Sequence, residues 1–488
     1  MRNQKIIKKN KKIKYYIISF FLLLMIFIFV YFIKITIDIE ETKGEDENIN
    51  VDKEDNVGKN NLPIIVIDTN GEKIETNNSV NDLNGKLITK SSPKIKSKFK
   101  LYDVYNFPEE VSIEEDITIN VRGQSSLKFP KKQYTIRFID DKNREKPIKL
   151  LGMSKHDKWV LNSSYGDKSL IRNYIGFKLA RDIQDYAPRT RFVEVYLNDD
   201  NNMNFEEDYI GVYILIEKIE RDEERVDIQK AEEKYKDVSF IIARDKIKED
   251  DIVLKNDWSY LEEKYIINNE GVVNRRTSLT PVYPSSKKLS IKYKNKIVDY
   301  INDFEYLLRS NDFDDKKYGY RQYIDIDSFV NYAMVNEIVK NIDGGEVSAY
   351  FHKDIGGVMK AGPVWDFDLS LSNTDVEEVN EPTGFRIVDT IWFERLFQDN
   401  YFANRYKINY KKYRNSIWKT EKINKMIDDA VKQIGDAAYR NQKKWYPNDT
   451  PEDYQKEIDN IKKFLSERLE WMDRNVHLVK RLRQNTID

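Results

Sequence analysis

The chain has 488 residues, enough for a large buried core and two or three domains, and its 82 basic and 83 acidic side chains nearly cancel to a net charge of −1. The charges are interspersed, which reads as a solvated surface and gives no reason to expect nucleic acid as a partner. Cysteine is absent and the three histidines, His156, His352 and His477, are isolated. Disulfides, thiolate metal sites, cysteine nucleophiles, a histidine-rich metal centre and a Ser-His-Asp triad are thereby excluded or disfavoured, and any catalysis rests on carboxylates, Lys and Arg.

Tyr15 to Ile33 runs without a charge, and at about 1.5 Å per residue it spans close to the ~30 Å hydrocarbon core of a bilayer. Seven basic residues (Arg2, Lys5, Lys8, Lys9, Lys11, Lys12 and Lys14) precede it, and an acidic stretch follows. The positive-inside bias predicts a basic cytoplasmic tail at 1–14, a single-pass anchor at 15–34 in the cell membrane and everything beyond it outside. A cleaved signal peptide fits less well, because the apolar run is long and no small-x-small site follows. Residues 35–60, acidic and poor in apolar side chains, read as a disordered linker.

Beyond it, Ile64 to Ile67 is an unbroken apolar run that predicts a strand buried on both faces. Lys98–Tyr102, Ile117–Arg122 and Lys132–Phe138 follow, the last two with the alternation of half-buried strands. Trp159–Leu161, Phe192–Leu197 and Tyr209–Glu217 are further strands, and Asp167 is expected to cap a helix through Ile183. Helices are then predicted at Ser290–Arg309, Asp327–Asn341, Thr390–Phe397, Phe402–Trp418 and from Pro451 onward, where Arg468, Trp471 and Met472 read as core. Strands first and helices later argue for an α+β chain with a mostly antiparallel sheet.

The most informative stretch is Asn341-Ile342-Asp343-Gly344 followed by Val364-Trp365-Asp366-Phe367-Asp368. Between them lies a predicted β-hairpin turning at Asp354–Gly357. Pairing Lys353 with Val358 places Asp343 opposite Asp368, so carboxylates distant in sequence converge. Converging carboxylates hold divalent cations and supply bases. Asp-Gly alone is a turn signal, but apolar neighbours around Asp366 and Asp368 make burial without a cation costly. Protein kinases have the same order of parts: a catalytic-loop Asp, a short hairpin, a metal-binding Asp beside Phe.

Gly123, Ser125 and Ser126 lie in a small-residue loop whose backbone N–H groups suit phosphates, a weak signal by itself. Strand parity predicts that Lys132 points inward and Lys131 outward, with phosphate or Glu217 as the anion for Lys132. Arg172 lies at a helix start, a place for anions or an ordinary surface Arg.

In order along the chain, 122–138 (RGQSSLKFPKKQYTIRF), 157–181, 211–228, 325–354, 359–373 and 464–473 together resemble the spore coat protein H (CotH) kinase family. The resemblance implies a two-lobed atypical protein-kinase-like fold over 61–485, with a β-rich N-lobe and a helical C-lobe after the transmembrane helix. It further implies ATP with Mg²⁺ (or Mn²⁺), Asp343 and Asp366 as the functional acids, and Ser- or Thr-bearing protein substrates, autophosphorylation included. The position of the kinase metal-binding Asn is Ser348 here, which leaves Asp368 and Asn341 as candidates for the second metal ligand. Two rivals remain: a catalytically inactive kinase-fold interaction protein of the surface or coat, and a two-carboxylate glycosidase, which needs no cation.

Overall fold

The computed structural model describes residues 62–480 except 77–79, 82–86, 89–91, 104–107, 248–250, 258–262 and 269–270. The expected tail, anchor and linker lie outside these residues. Among the described residues no helix is long and apolar enough to cross a membrane.

The N-terminal half is built on strands β1 (Ile64–Asp68), β4 (Ile95–Tyr102), β5 (Ile113–Arg122), β6 (Gln133–Ile139), β7 (Lys158–Asn162), β8 (Thr190–Asn198) and β9 (Tyr209–Glu217), while β2 (Val80–Asn81) and β3 (Leu87–Ile88) pair only with each other. The seven close into a barrel in the order β1-β4-β5-β6-β7-β9-β8. All pairs are antiparallel except β1–β8, which closes the ring in parallel with Ile64 opposite Glu194. Period-two alternation explains the closure. Ile117, Ile119 and Val121 of β5 and Tyr134, Ile136 and Phe138 of β6 point inward onto Phe99, Trp159 and Leu215. Burying each such side chain contributes about 1.5–3 kcal/mol. The expectation for β1 holds: Ile65 and Ile67 fill the barrel, while Ile64 and Val66 pack outside it with Tyr102, Tyr196 and Tyr209.

A second sheet has the order β11-β12-β10-β13-β14, from β10 (Phe240–Lys246), β11 (Glu263–Asn268), β12 (Gly271–Tyr283), β13 (Ala349–Lys353) and β14 (Lys360–Ala361). Helices α1 (Arg172–Arg181), α2 (Ile291–Arg309), α3 (Ile326–Ile338), α4 (Asn400–Arg414), α5 (Thr420–Ile434), α6 (Asp436–Trp445) and α7 (Pro451–Asn475) complete the fold. α1, α3 and the sheet share one large apolar core with α4, α5 and α7. The chain is a mixed α+β protein.

The helix expected from Asp167 begins only at Arg172. Ser164 and Leu170 take left-handed φ of 47° and 65°, so the intervening chain is a turn. Asp167 spends its carboxylate on Ser169 and on the Arg172 backbone N–H instead (2.9 Å).

Candidate active site

The hairpin forms, but one residue out of the expected register. Phe351 faces Ala361 and His352 faces Lys360, and Asp343 lies in a turn, its carbonyl accepting from Glu346 N and Val347 N. No strand pairing therefore sets Asp343 against Asp368. Convergence comes from the turn itself. Ile342 N donates to Leu369 O (3.3 Å), and the Asn341 side chain donates to Asp366 O at 3.1 Å while accepting from Asp343 N at 3.2 Å. Asn341 thus ties the two acidic segments together rather than facing outward as a ligand.

Two non-glycine residues here adopt left-handed backbone: Ser348 with φ 51° and Asp366 with φ 64°. Such conformations persist only where surroundings over-determine them. They turn the Ser348 hydroxyl toward Asp366 Oδ2, at 3.5 Å. Asp366 and Asp368 are both half-buried. Burial, and next the neighbouring Asp343 charge, push Asp366 up to about 6, against the opposing pull of Arg122. Burial and then Asp366 push Asp368 well above the ordinary carboxylate range, with Asp167 adding to the rise. The charge of Asp343 thus bears on Asp366, and that of Asp366 on Asp368.

Elsewhere, buried carboxylates are matched by guanidinium groups: Asp167 by Arg172, Glu194 by Arg440, Glu217 by Arg189, Glu337 by Arg468 and Asp399 by Arg321. Among the described residues neither Asp366 nor Asp368 has a Lys or Arg ion-pair partner. Asp368 accepts from the Asn173 amide instead, and Asn173 Oδ1 accepts from Phe367 N at 2.8 Å. Part-buried carboxylates without a Lys or Arg ion pair could hold a cation, and an all-oxygen donor set fits a hard cation such as Mg²⁺ or Mn²⁺. Asn173 stands beside Arg172 in the helix start that the sequence marks out, and its contacts with Asp368 and Phe367 are what tie that helix to the acidic segment.

Phe367, between the two aspartates, lies edge-on to Phe177 (5.6 Å between ring centres), directly over Gly176. A Cβ at Gly176 would stand 2.3 Å from the Phe367 ring. Gly176→Ala gains about 1 kcal/mol of helix propensity but loses about 1–3 kcal/mol or more to overpacking. The ring has Phe177 against it, so strain wins. We expect a lower melting temperature and reduced activity, since Phe367 cannot shift without moving Asp366 and Asp368. A melt and turnover equal to the parent would show that this contact does not position the carboxylates.

Arg122 lies over the Trp365 ring at 5.4 Å. Gly123 (φ 109°) opens the loop toward Ser125 and Ser126. That loop is tied to the end of β10, with Gln124 donating to Lys246 O and Lys246 Nζ donating to Ser125 Oγ, both at 2.8 Å.

The lysines are the reverse of the expectation. Lys131 is buried, bonded to Val212 O (2.5 Å) and Asn441 Oδ1 (2.7 Å), and burial lowers its pKa well below the usual value. Lys132 is half-exposed and donates to Leu127 O at 2.7 Å. Strand parity misleads because β6 starts only at Gln133. Glu217 has no contact with Lys132; its oxygens accept from Arg189, Ser154 and Tyr186. Arg172 is no surface group either. It is buried among Asp167 (2.6 Å), Glu457 (3.1 Å) and Leu371 O (3.3 Å), behind Asp368, so it positions the acidic loop and has no face for an anion.

A second acidic group, His156, Asp157 and Glu220, has ligand atoms within 4.8 Å of one another. Cations already occupy it. Glu220 accepts from Lys158 and Lys218 (2.8 Å each) and Asp157 from Arg137 (3.1 Å).

Fold and site thus define a mixed α+β protein in which Asp343, Asp366 and Asp368 lie near one another. A sequence model of the CotH kinase protein family matches residues 119–472, most of the chain, and the protein belongs to that family. No curated protein matches it. Membership makes the protein kinase-like, and ATP with a divalent cation is the general chemistry of a kinase family.

Proposed function

We propose that the protein is a two-lobed atypical protein kinase that transfers the ATP γ-phosphoryl group to Ser or Thr of surface or coat proteins, itself included. The observation that carries this reading is the neighbouring set Asp343, Asp366 and Asp368, whose last two members lack the Arg ion pair that five other buried carboxylates have. Asp366 and Asp368 would hold Mg²⁺ or Mn²⁺, with Ser348 Oγ beside them and Asn341 fixing the backbone. The cation–nucleotide pair would bring a phosphoryl group whose charge is partly neutralised. Asp343, whose charge bears on Asp366, would orient the acceptor hydroxyl and take its proton. Arg122 and Lys246, whose charges both reach Asp366, are the cations for the phosphates, with the Gly123–Ser126 loop between them.

Calorimetry on the full chain in detergent tests this: ATP is expected to bind with Mg²⁺ or Mn²⁺ present and not in excess chelator. Equal affinity in chelator would remove the cation role. One observation favours the binding-only reading, a kinase-fold interaction protein: Lys132, expected to point inward toward phosphate or Glu217, is half-exposed and donates to Leu127 O. Cation-dependent ATP binding without phosphotransfer to any Ser- or Thr-bearing protein would select it. A glycosidase would show neither.

The anchor at 15–34, the basic tail inside and the linker at 35–60 place the catalytic part outside the membrane in this reading, in keeping with a family of the coat or surface. Protease added to intact cells is expected to cut within 35–60 and release the folded part. Protection until lysis would put the site in the cytoplasm.

A further inference from the structure

We propose that the basic turn and helix start at Ser285–Lys296 form a docking face for an anionic lipid surface, with Ile291 entering the bilayer interface and Lys287, Lys288 and Lys292 meeting the headgroups. The face shares no residue with the candidate active site, so the inference does not depend on the kinase reading.

Local structure sets which side chains point outward. A short 3-10 turn, Ser286–Lys288, precedes α2, and the Ser290 hydroxyl caps that helix by accepting from Tyr293 N at 3.2 Å. Tyr293, Ile297 and Ile301 turn into the core. The Tyr293 hydroxyl is fastened to Ser239, accepting from its backbone N–H (3.0 Å) and donating to its carbonyl (3.1 Å). With that face fixed inward, 3.6 residues per turn leave Ile291, Lys292 and Asn295 exposed on the other. Ile291 is 79% exposed, the most of any large apolar side chain among the described residues.

Charge then defines the kind of partner. Ser285–Lys296 holds five lysines and no acid, in a chain whose charges cancel to −1 overall. Lys287, Lys288 and Lys292 are exposed and make no ion pair among the described residues. The acids of the neighbouring loop are engaged: Glu232 with Lys234, Glu233 with the Ser290 hydroxyl and Asp237 with Lys353. The next acid along α2, Asp299, comes about two turns after Ile291. The positive field also reaches the barrel. Lys94, just before β4, has its pKa lowered by burial and then by four cations, Arg137, Lys218, Lys158 and Lys287.

A soluble polyanion would satisfy these lysines but leave Ile291 in water. A bilayer takes both. Anionic headgroups attract lysines near the surface, and an apolar side chain among basic ones settles at the headgroup–acyl boundary while the lysine ammonium groups stay in water. The anchor expected at 15–34 would supply the bilayer, and only that supply rests on the anchor reading.

Because the chain has no Cys, Asn295→Cys gives a unique site for a fluorescent label. The labelled full chain is reconstituted with vesicles of phosphatidylcholine alone or in equal mixture with phosphatidylglycerol, each containing a lipid-borne quencher. Quenching is expected in the mixed vesicles only, and is expected to disappear in high salt, which screens exposed charges. Lys287→Glu/Lys288→Glu/Lys292→Glu should lower the ratio of docked to free chains by at least about 10²-fold, about fivefold per lysine. Ile291→Ser should lower it by about tenfold. Flotation in high salt reads the anchor separately: a chain that leaves the vesicles there has no anchor, and docking is then read from flotation of the same variants in low salt. Equal quenching in both kinds of vesicle, retention in the triple variant, or no quenching in either overturns the proposal. Absent quenching together with equal binding of soluble polyphosphate to the parent and to Ile291→Ser would reassign the face to an anionic polymer.

Discussion

Asp343→Asn is expected to lower phosphotransfer by about 10²–10⁴-fold, the range for loss of a positioned base, while cation-dependent ATP binding stays close to that of the parent. Asp366→Asn is expected to lower both. The difference follows from the proposed roles. Asp366 feels the charge of Asp343 and bears on Asp368, so a cation ligand at Asp366 would serve the nucleotide and lie close to the acceptor base. The double variant should be no worse than Asp366→Asn alone, because both groups act on one transition state. Stability should move the other way. Burial and the Asp343 charge already disfavour ionised Asp366, so without a cation the Asn variant is expected to melt higher than the parent, an exchange of stability for function. Turnover of Asp343→Asn near that of the parent would reduce Asp343 to a turn residue. A lower melting temperature for Asp366→Asn would deny that the site is strained without its cation.

How far the sequence was legible depended on whether a signal was local. Strand β9 begins and ends where its apolar run and the charged residues beside it put it, at Tyr209 and Glu217. Helix α7 starts at Pro451 behind Thr450, which forms a capping box with Asp453, a cue contained in four residues. Strands β10 and β12 were missed because they are specified by each other and by β13, with Ala243 paired to Thr280 on one side and Tyr350 on the other. Helices α5 and α6 did carry a signal. Ile423, Ile427, Ala430 and Ile434 keep a 3.6 period up to Gly435. At the site, the hairpin was readable, although its register was not, and the acids approach through the Asn341–Asp343 turn rather than through strand pairing. A turn that takes one residue more shifts every pairing by one. The partners of Glu217 and Arg172 were not readable at all. Arg189 and Glu457 reach them through tertiary packing, and strand parity says nothing of residues such as Lys131 and Lys132 that precede the strand.

Arg468→Met is expected to destabilise the protein by about 3–5 kcal/mol, the cost of leaving a buried carboxylate without its counter-charge. Arg468 and Glu337 are both fully buried and 2.5 Å apart. Glu337 also accepts from the backbone of Arg386 (2.9 Å) and Ile387 (2.8 Å), and Arg468 donates to Pro382 O (2.8 Å) and Gly384 O (2.6 Å). Lys340 adds a third clamp, its Nζ donating to the carbonyls of Glu378, Glu381 and Thr383. The pair therefore fastens the segment 378–387 to the end of α3, a few residues before Asp343. Arg386 carries the connection to the site by donating to Ile342 O at 2.8 Å. Replacing both members with apolar residues is often neutral where an ion pair stands alone. Here the double variant Glu337→Met/Arg468→Met strands two backbone N–H groups and two carbonyls, so it should stay well below the parent while recovering part of the single-variant loss. Denaturant unfolding measures the first effect. Hydrogen exchange, faster at 378–387 than elsewhere in Arg468→Met, measures the second. Uniform exchange across the fold would mean that the pair supports the core as a whole and does not hold this segment in particular.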